Sequence, residues 1–419
     1  MSESRAAIHR LSVARLVSLA GTQAAYIALI ALIYDKSDGS GVWIAAALVA
    51  GLGARVLSAP WAGALGDYFD RRLVMIASDL AAAACFVALS QFDSLPLLVA
   101  LAAVAGVAEA PFGAASGALV SMLVSEERRG WANGTLSMGS AGGNLIGAAL
   151  GGVFVATAGA SGAFLINAGS FVVSAALAAS ISGRFVARDT TMREKPDVWQ
   201  GVRTLASERV LRLSVSSIAL VALALAMGNV AEYPLFVSIG AGKVGFGVAV
   251  AAWGAGQIVG GKLASRIVGA RLERLAIITG CALTSVVVGI FGGVPVFFLI
   301  AVLSVLGGLG NSLLNIGLVM SVQRWSPPQV QSRTFAAVEA LANTAVAVSL
   351  IAGGLLLAPL GARGVYLLAG GLGVLAVIIA FRIPREPAPL KTDEAPSPNA
   401  SSDRRDSTSK MRLRNPLPA

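Results

Sequence analysis

Two opposite charges stand far inside apolar stretches of this chain, Arg55 and Glu109. Each lies about 13 residues into its stretch, which at a helical rise of about 1.5 Å per residue puts both at a depth of roughly 20 Å. A charge held in hydrocarbon is costly and marks an ion, proton or substrate path. Equal depth permits an ion pair, and two readings follow: Glu109 is a proton carrier modulated by Arg55, or the two form a static lock. Ala110-Pro111 comes next, so a break in the helix is expected to free backbone carbonyls beside the carboxyl. Glu232, beside Tyr233-Pro234, is a proton or cation site near the outer mouth or else an interfacial charge. Asp79 is expected to meet a loop arginine, and Glu339 to be balanced by helix-end electrostatics. The amides in these stretches, among them Gln23, Asn144, Asn229, Gln257 and Asn311, are expected mostly to bond between helices. Aromatic residues make up only 6% of the chain, which argues against a cavity rich in stacking platforms.

Other chemistries lack their residues. The one histidine is His9, and the two cysteines, Cys85 and Cys281, sit singly in apolar runs, so no metal site, disulfide framework or His-based hydrolase is expected. Gly307-Gly308-Leu309-Gly310 is followed by no Gly-Lys-Ser/Thr, so it reads as helix-packing glycines rather than a phosphate cradle. No enzymatic activity, cofactor or ATP-driven step is expected. The net charge of +10 comes from basic residues at the ends of apolar segments, a topology signal rather than a nucleic-acid surface.

The elements that must position these residues are membrane helices. Hydrophobic residues make up 56% of the chain and charged residues 13%, against about 25% charged in soluble domains. Spans of about 20 apolar residues read at 12–34, 42–64, 73–91, 96–123, 134–157, 161–183, 211–238, 244–266, 275–292, 295–323, 334–358 and 364–381. Residues 130–183 and 275–323 contain no charge at all, and each stretch is long enough for two spans joined by a tight turn. Of the 32 Lys and Arg, three (Lys36, Lys243, Arg363) fall in odd-numbered loops, one lies within a span and six in the tail from Glu386 onward, leaving 22 on the other side. That asymmetry places both termini in the cytoplasm of a multi-pass protein of the inner (plasma) membrane. The run after Arg15 leads to Tyr34-Asp35 rather than a small-residue cleavage site, so no cleavable signal is expected. The domains are a cytoplasmic N-terminus (1–11), a six-helix half (12–183), a central cytoplasmic loop (184–210), a second six-helix half (211–382) and a disordered cytoplasmic tail (383–419). Within the central loop, Val198, Trp199, Val202 and Leu205 mark one side of an amphipathic helix from Asp197 onward.

Gly151-Gly152 and Gly159-Ala160 recur as Gly353-Gly354 and Gly361-Ala362, and the end of span 4 recurs in span 10, at an offset of about 201 to 202 residues that brackets the central loop. This common offset argues for two parallel halves. Between spans 2 and 3 lies Gly63-Ala64-Leu65-Gly66-Asp67-Tyr68-Phe69-Asp70-Arg71-Arg72. Gly63 and Gly66 suit close helix approach, Asp67 a helix end, and Arg71 and Arg72 an anionic lipid surface. The stretch resembles the loop signature of the major facilitator superfamily: a Gly, an Asp four residues on, then a basic pair. Its Phe-Asp-Arg-Arg form looks like the drug:proton antiporters of the macrolide and siderophore efflux type, with Asp70 where many members have Gly. In span 5, Gly143, Gly147, Gly151 and Gly152 resemble an exporter signature in which Ala148 replaces a Pro. A second-half copy, Gly261 to Arg266, has Ser265 in place of the acid.

The resemblance implies an all-α membrane protein with the major facilitator fold, twelve transmembrane helices in two pseudo-symmetric halves. Asp67 would then latch the halves in one state, and Gln23, Asn229 and Asn311 would line a central cavity. The function it implies is proton-coupled efflux of small amphipathic or hydrophobic compounds by a monomer. Uptake of a nutrient on the same fold, and a non-transporting sensor or scaffold, are the alternatives.

Overall fold

In hydrocarbon every backbone amide must find its partner within its own segment, and an uninterrupted apolar run does this as an α-helix. The computed structural model describes residues 2–125, 128–183, 185, 199–264, 269–327 and 330–384. Those residues form eleven helices: α1 (Ser2–Lys36), α2 (Gly41–Tyr68), α3 (Arg71–Leu89), α4 (Leu95–Leu123), α5 (Arg129–Ala179), α6 (Trp199–Ser207), α7 (Arg209–Ser238), α8 (Gly242–Ala264), α9 (Ala270–Phe291), α10 (Phe297–Trp325) and α11 (Gln331–Phe381). Ten of them are long and apolar enough to cross a membrane, and α6 is the short exception.

α5 and α11 have 51 residues each. Straight, each would run about 76 Å, more than twice the roughly 30 Å hydrocarbon layer. Neither is straight. Gly159 (φ 72°, ψ 180°) and Gly361 (φ 66°, ψ 173°) adopt a backbone conformation that only glycine reaches without strain, and the chain doubles back there. The start of α1 records the reversal in α5: Ser12 Oγ donates to Thr135 O at 2.7 Å, and Arg10 donates to Ser180 O at 2.6 Å. Both ends of α5 therefore reach the same end of α1. In α11, Gly353 meets Met227 and Tyr366 meets Gly228, so residues on either side of Gly361 touch adjacent residues of α7. Each arm has the length of a span, so the ten helices supply twelve spanning-length segments.

The packing repeats by half. α1 lies along α5 as α7 lies along α11; α2 crosses α4 as α8 crosses α10; α3 touches α4 and α5 as α9 touches α10 and α11. The halves meet through α5 against α8 and α11 against α2. Small residues make those two seams. A Cβ on Gly152 would stand 3.1 Å from Val244 Cα and 3.2 Å from Gly247 Cα, and one on Gly354 would stand 2.6 Å from Ala45 Cβ. A shift of 202 positions carries Gly152 to Gly354 and Ala45 to Gly247, so the seams are copies of each other. Both lie toward the face that carries Gly159 and Gly361. There Lys243 and Asp35 join the halves by an ion pair at 3.1 Å, Tyr34 packs edge-on to Tyr233 with centroids 5.3 Å apart, and Phe246 packs on both Tyr233 and Tyr26.

Two expectations shift in detail. The first helix begins at Ser2, ahead of residue 12, because Ala7, Ile8 and Leu11 are buried against α3, α4 and α5 residues such as Met75, Leu119 and Leu136. The amphipathic helix is present as α6, with Leu205 against the second-half core and Val202 exposed. Asp197, Val198 and the tail from 385 onward lie outside the described residues.

Candidate functional site

Helices α2 and α4 cross where each has a glycine. A Cβ on Gly106 would sit 3.1 Å from the carbonyl carbon of Gly51 and 3.4 Å from the amide nitrogen of Arg55, and closer still to the Gly51 oxygen. The backbones therefore touch, and the next turn of each helix brings Arg55 and Glu109 together at the midpoint of both helices. Arg55 donates to Glu109 in an ion pair. The glutamate side chain is 15% exposed and the arginine side chain 50%, so the carboxylate is the shielded partner and the guanidinium is the more open one on the cavity wall.

The second half carries a neutral copy of this pair, which the sequence reading did not identify. Shifting by 202 positions takes Arg55 to Gln257, Glu109 to Asn311, and Gly106 to Gly308. A Cβ on Gly308 would meet the Trp253 carbonyl carbon at 2.8 Å and the Gln257 nitrogen at 3.1 Å, the same crossing as in the first half. Gln257 Nε2 donates to Asn311 Oδ1 at 3.1 Å, and Asn315 adds a bond to the Asn311 carbonyl at 2.8 Å. The signal was in the sequence: the offset found from the glycine pairs, applied to residues 55 and 109, lands on both amides.

Between the halves lies a cavity with two lobes. The first, about 420 Å³, is lined by Gln23, Tyr26, Arg55, Glu109 and Asn229 together with aliphatic side chains. The second, about 260 Å³, is lined by Tyr26, Asn229, Glu232, Trp253, Phe291, Asn311 and Tyr366. Tyr26 and Asn229 belong to both. Gln23, Asn229 and Asn311 thus line the cavity, and Gln23 also donates to Asn144 of α5 at 3.1 Å. Glu232 faces the second lobe rather than an interface. The expectation of few stacking platforms is corrected: a low aromatic content still places four rings around one lobe, because they come from four different helices (α1, α8, α9 and α11).

At Pro111 the helix runs on, braced from outside. Ser78 Oγ donates to Ala108 O at 2.5 Å and accepts from Phe112 N at 3.2 Å, so a side chain of α3 bridges the backbone on either side of the proline. Asp79, one residue on, is 2% exposed, and among the described residues its Oδ2 has no hydrogen-bond partner. Among the described residues no arginine pairs with it. This shielded carboxylate lies outside both lobes of the cavity. Glu339 is exposed in α11.

In the 63–72 stretch, Gly63, Gly66 and Asp67 lie in the last turns of α2, and the side chain of Asp67 lies outside the described part. Asp70 caps α3, accepting from Arg72 N at 3.0 Å and from Phe185 N at 3.4 Å, which gives the residue that departs from the usual Gly a role of its own. Arg71 is corrected: rather than lying on a lipid surface it is buried, donating to Ala118 O at 3.4 Å and resting against Met122 of α4. At the matching place in the second half, Arg324 forks onto Glu273 through three bonds of 2.6 to 3.0 Å, a pair no motif announced. Gly143, Gly147 and Gly151 seat α5 on the α1 residues Leu16, Ala20 and Ala24, as helix-packing glycines do. The fourth member, Gly152, faces α8 instead.

The family described as Major Facilitator Superfamily matches residues 11–294 and, overlapping them, 238–417. A multidrug resistance protein, MdtG of Dickeya zeae (strain Ech586), is 34% identical over 112 residues, a stretch spanning 27% of this chain and 27% of that protein. Among solved structures, the nucleoside transporter NupG superposes with a TM-score of 0.75 at 11% identity, covering 90% of this chain and 98% of its own. A bacterial homologue of the iron transporter ferroportin, solved in an inward-facing state, gives 0.70 at 16%, covering 90% and 98%. A POT family transporter in complex with a thioalcohol-conjugated peptide gives 0.69 at 14%, covering 89% and 94%. Identities this low speak to the fold alone.

Proposed function

The chain belongs to the major facilitator superfamily and is a multi-pass membrane transporter; from that premise we propose that it exports small amphipathic or hydrophobic compounds in exchange for protons. The observation that carries this reading is the Arg55–Glu109 pair. It is a shielded carboxylate with one cationic partner, on the wall of the central cavity, at a crossing whose second-half copy is neutral. A proton arriving at Glu109 releases Arg55, and a changed charge at the α2–α4 crossing alters how the halves pack. Transport then proceeds by rocking of one half against the other, alternately exposing the cavity to each side.

The bias of Lys and Arg supports an orientation with the Gly159/Gly361 face outside and both termini in the cytoplasm, in the inner membrane. The halves are in contact at that face, which supports a state closed to the outside. In this reading Asp67, with Gly63, Gly66, Arg71 and Arg72, serves as a conformational latch at the opposite face. Gln23, Asn144, Asn229, Asn311 and Glu232 serve the substrate and proton path. The working unit is a monomer. The partial likeness to a multidrug resistance protein supports export over uptake.

A drug and metabolite sensitivity profile of strains with and without the protein, with Asp67→Asn as the transport-dead control, identifies the exported compound. In everted vesicles its accumulation is expected to follow an imposed proton gradient and to fail in Glu109→Gln. Loss of growth on a single nutrient without altered drug sensitivity points to uptake instead.

A further inference from the structure

The two halves have spent the same crossing on different chemistry. Where the first half has Gly51, the second has Trp253 at the position shifted by 202. The first lobe consequently holds an ion pair, and the second holds rings. Arg55 and Glu109 compensate each other. Glu232 is the remaining ionisable carboxyl on the cavity wall, and among the described residues it has no hydrogen bond or ion pair. Around it stand Tyr26, Trp253, Phe291 and Tyr366.

The rings are held in place rather than free to turn away. The six-membered ring of Trp253 is wedged on the backbone of Gly307, where a Cβ would come within 3.0 Å of Trp253 Cε3. Tyr366 rests on Gly228, whose Cβ would lie 3.1 Å from Tyr366 Cε1, and its other flank packs on Phe291 with centroids 5.6 Å apart. Two glycines and a tilted ring pair thus pre-position the wall, which lowers the ordering cost of binding. Aromatic faces attract a cation through the ring quadrupole, most strongly for Trp. An uncompensated carboxyl adds a counter-charge. A neutral or anionic ligand gains nothing from that counter-charge and must desolvate it.

We infer that the second lobe is the recognition site for a lipophilic organic monocation: a quaternary or protonated amine, or a phosphonium, with an apolar body. Glu232 supplies the counter-charge, Trp253 and Tyr366 the cation-facing rings, and Tyr26 and Asn229 the boundary with the first lobe. The apolar body extends past that boundary, the two lobes together falling within the roughly 300–1,000 Å³ usual for small-molecule pockets. This deepens the transport reading by naming a substrate class, and it separates the two tasks: the cation is held by the second half and the proton by the first.

The test is equilibrium binding in nanodiscs of zwitterionic lipid, with no ion gradient, using tetraphenylphosphonium and its shape-matched anion tetraphenylborate. The cation is expected to bind saturably and the anion not to compete. Glu232→Gln is expected to weaken cation binding at least tenfold, with Glu232→Asp within about threefold of the wild type. Trp253→Ala is expected to weaken it fivefold or more, and Trp253→Phe by less. If the Glu232→Gln protein does not fold, the Trp253 series and the cation–anion comparison on the wild type decide the matter. Absence of saturable cation binding, equal competition by tetraphenylborate, or a Glu232→Gln protein that binds within twofold of the wild type overturns the assignment. Because no gradient is present, these outcomes leave the proton role of Glu109 untouched, and the vesicle experiment with Glu109→Gln fails or succeeds independently.

Discussion

Replacing Arg55 by Gln and Glu109 by Asn together writes into the first half the pair that the second half already carries at matching positions. The α2–α4 and α8–α10 crossings are both made over a glycine, Gly106 and Gly308, so an amide bond near the 3.1 Å of Gln257 to Asn311 is expected to form. The exchange gives up an ion pair whose attraction is largely offset by desolvation and gains a hydrogen bond worth about 0.5–1.5 kcal/mol, so the double variant should keep its stability to within about 2 kcal/mol. The single variants differ because exposure differs. Arg55→Gln strands a carboxylate 15% exposed, whereas Glu109→Asn strands a guanidinium 50% exposed. Between the roughly 3–5 kcal/mol of a broken buried pair and the roughly 0–1 kcal/mol of an exposed one, the first is expected near about 2–3 kcal/mol and the second near about 1 kcal/mol. Unfolding in lipid nanodiscs, run as a double-mutant cycle, reads all four proteins. Exchange of substrate across proteoliposomes should survive in the double variant, and accumulation driven by a proton gradient should vanish. A double variant less stable than the two losses added, or one that still accumulates substrate on a proton gradient, refutes the reasoning.

Further outcomes follow from the same contacts. Ser78→Ala leaves Phe112 N–H and Ala108 C=O without their bridge, and is expected to cost about 1–3 kcal/mol, seen as a lower unfolding temperature; an unchanged one means the proline bend is satisfied by other groups. Gly152→Val and Gly354→Val each thrust a side chain into the opposite half. Both are expected to drive the halves apart at the Gly159/Gly361 face, read as a longer spin-label distance between positions 38 and 241; an unaltered distance removes the seams from the transition. Asp35→Asn breaks the ion pair to Lys243, with an expected shift of up to about fivefold in the same equilibrium, the scale of a partly exposed pair. The charge-reversed pair Asp35→Lys with Lys243→Asp should restore the wild-type distance.

Much of the fold was legible because membrane burial acts on composition: charge-free runs, basic asymmetry and a glycine repeat each report on it directly. The doubled helices were legible too, since Gly159-Ala160 and Gly361-Ala362 mark tight turns in runs twice the length of a span. The ion pair was legible as two charges at equal depth. Four things were not. Trp253, Phe291 and Tyr366 look like ordinary apolar residues until helix rotation turns them to one lobe. Ser78 bridges the backbone of another helix on either side of its proline, which no local pattern encodes. Asp35 and Lys243 lie more than two hundred positions apart and meet only because the halves close at one face. Arg71 and Arg72 share a charge and a loop, and only the start of α3 turns Arg71 inward toward Met122.

The central claim is that a proton held by Glu109 is exchanged for substrate. In proteoliposomes containing a pH-sensitive dye and no imposed gradient, a jump in the exported compound drives protons the other way if the two are coupled. The wild type is expected to give a pH change proportional to substrate flux, and Glu109→Gln is expected to give none while still exchanging labelled for unlabelled substrate. A Glu109→Gln protein that moves protons with substrate as the wild type does would contradict it.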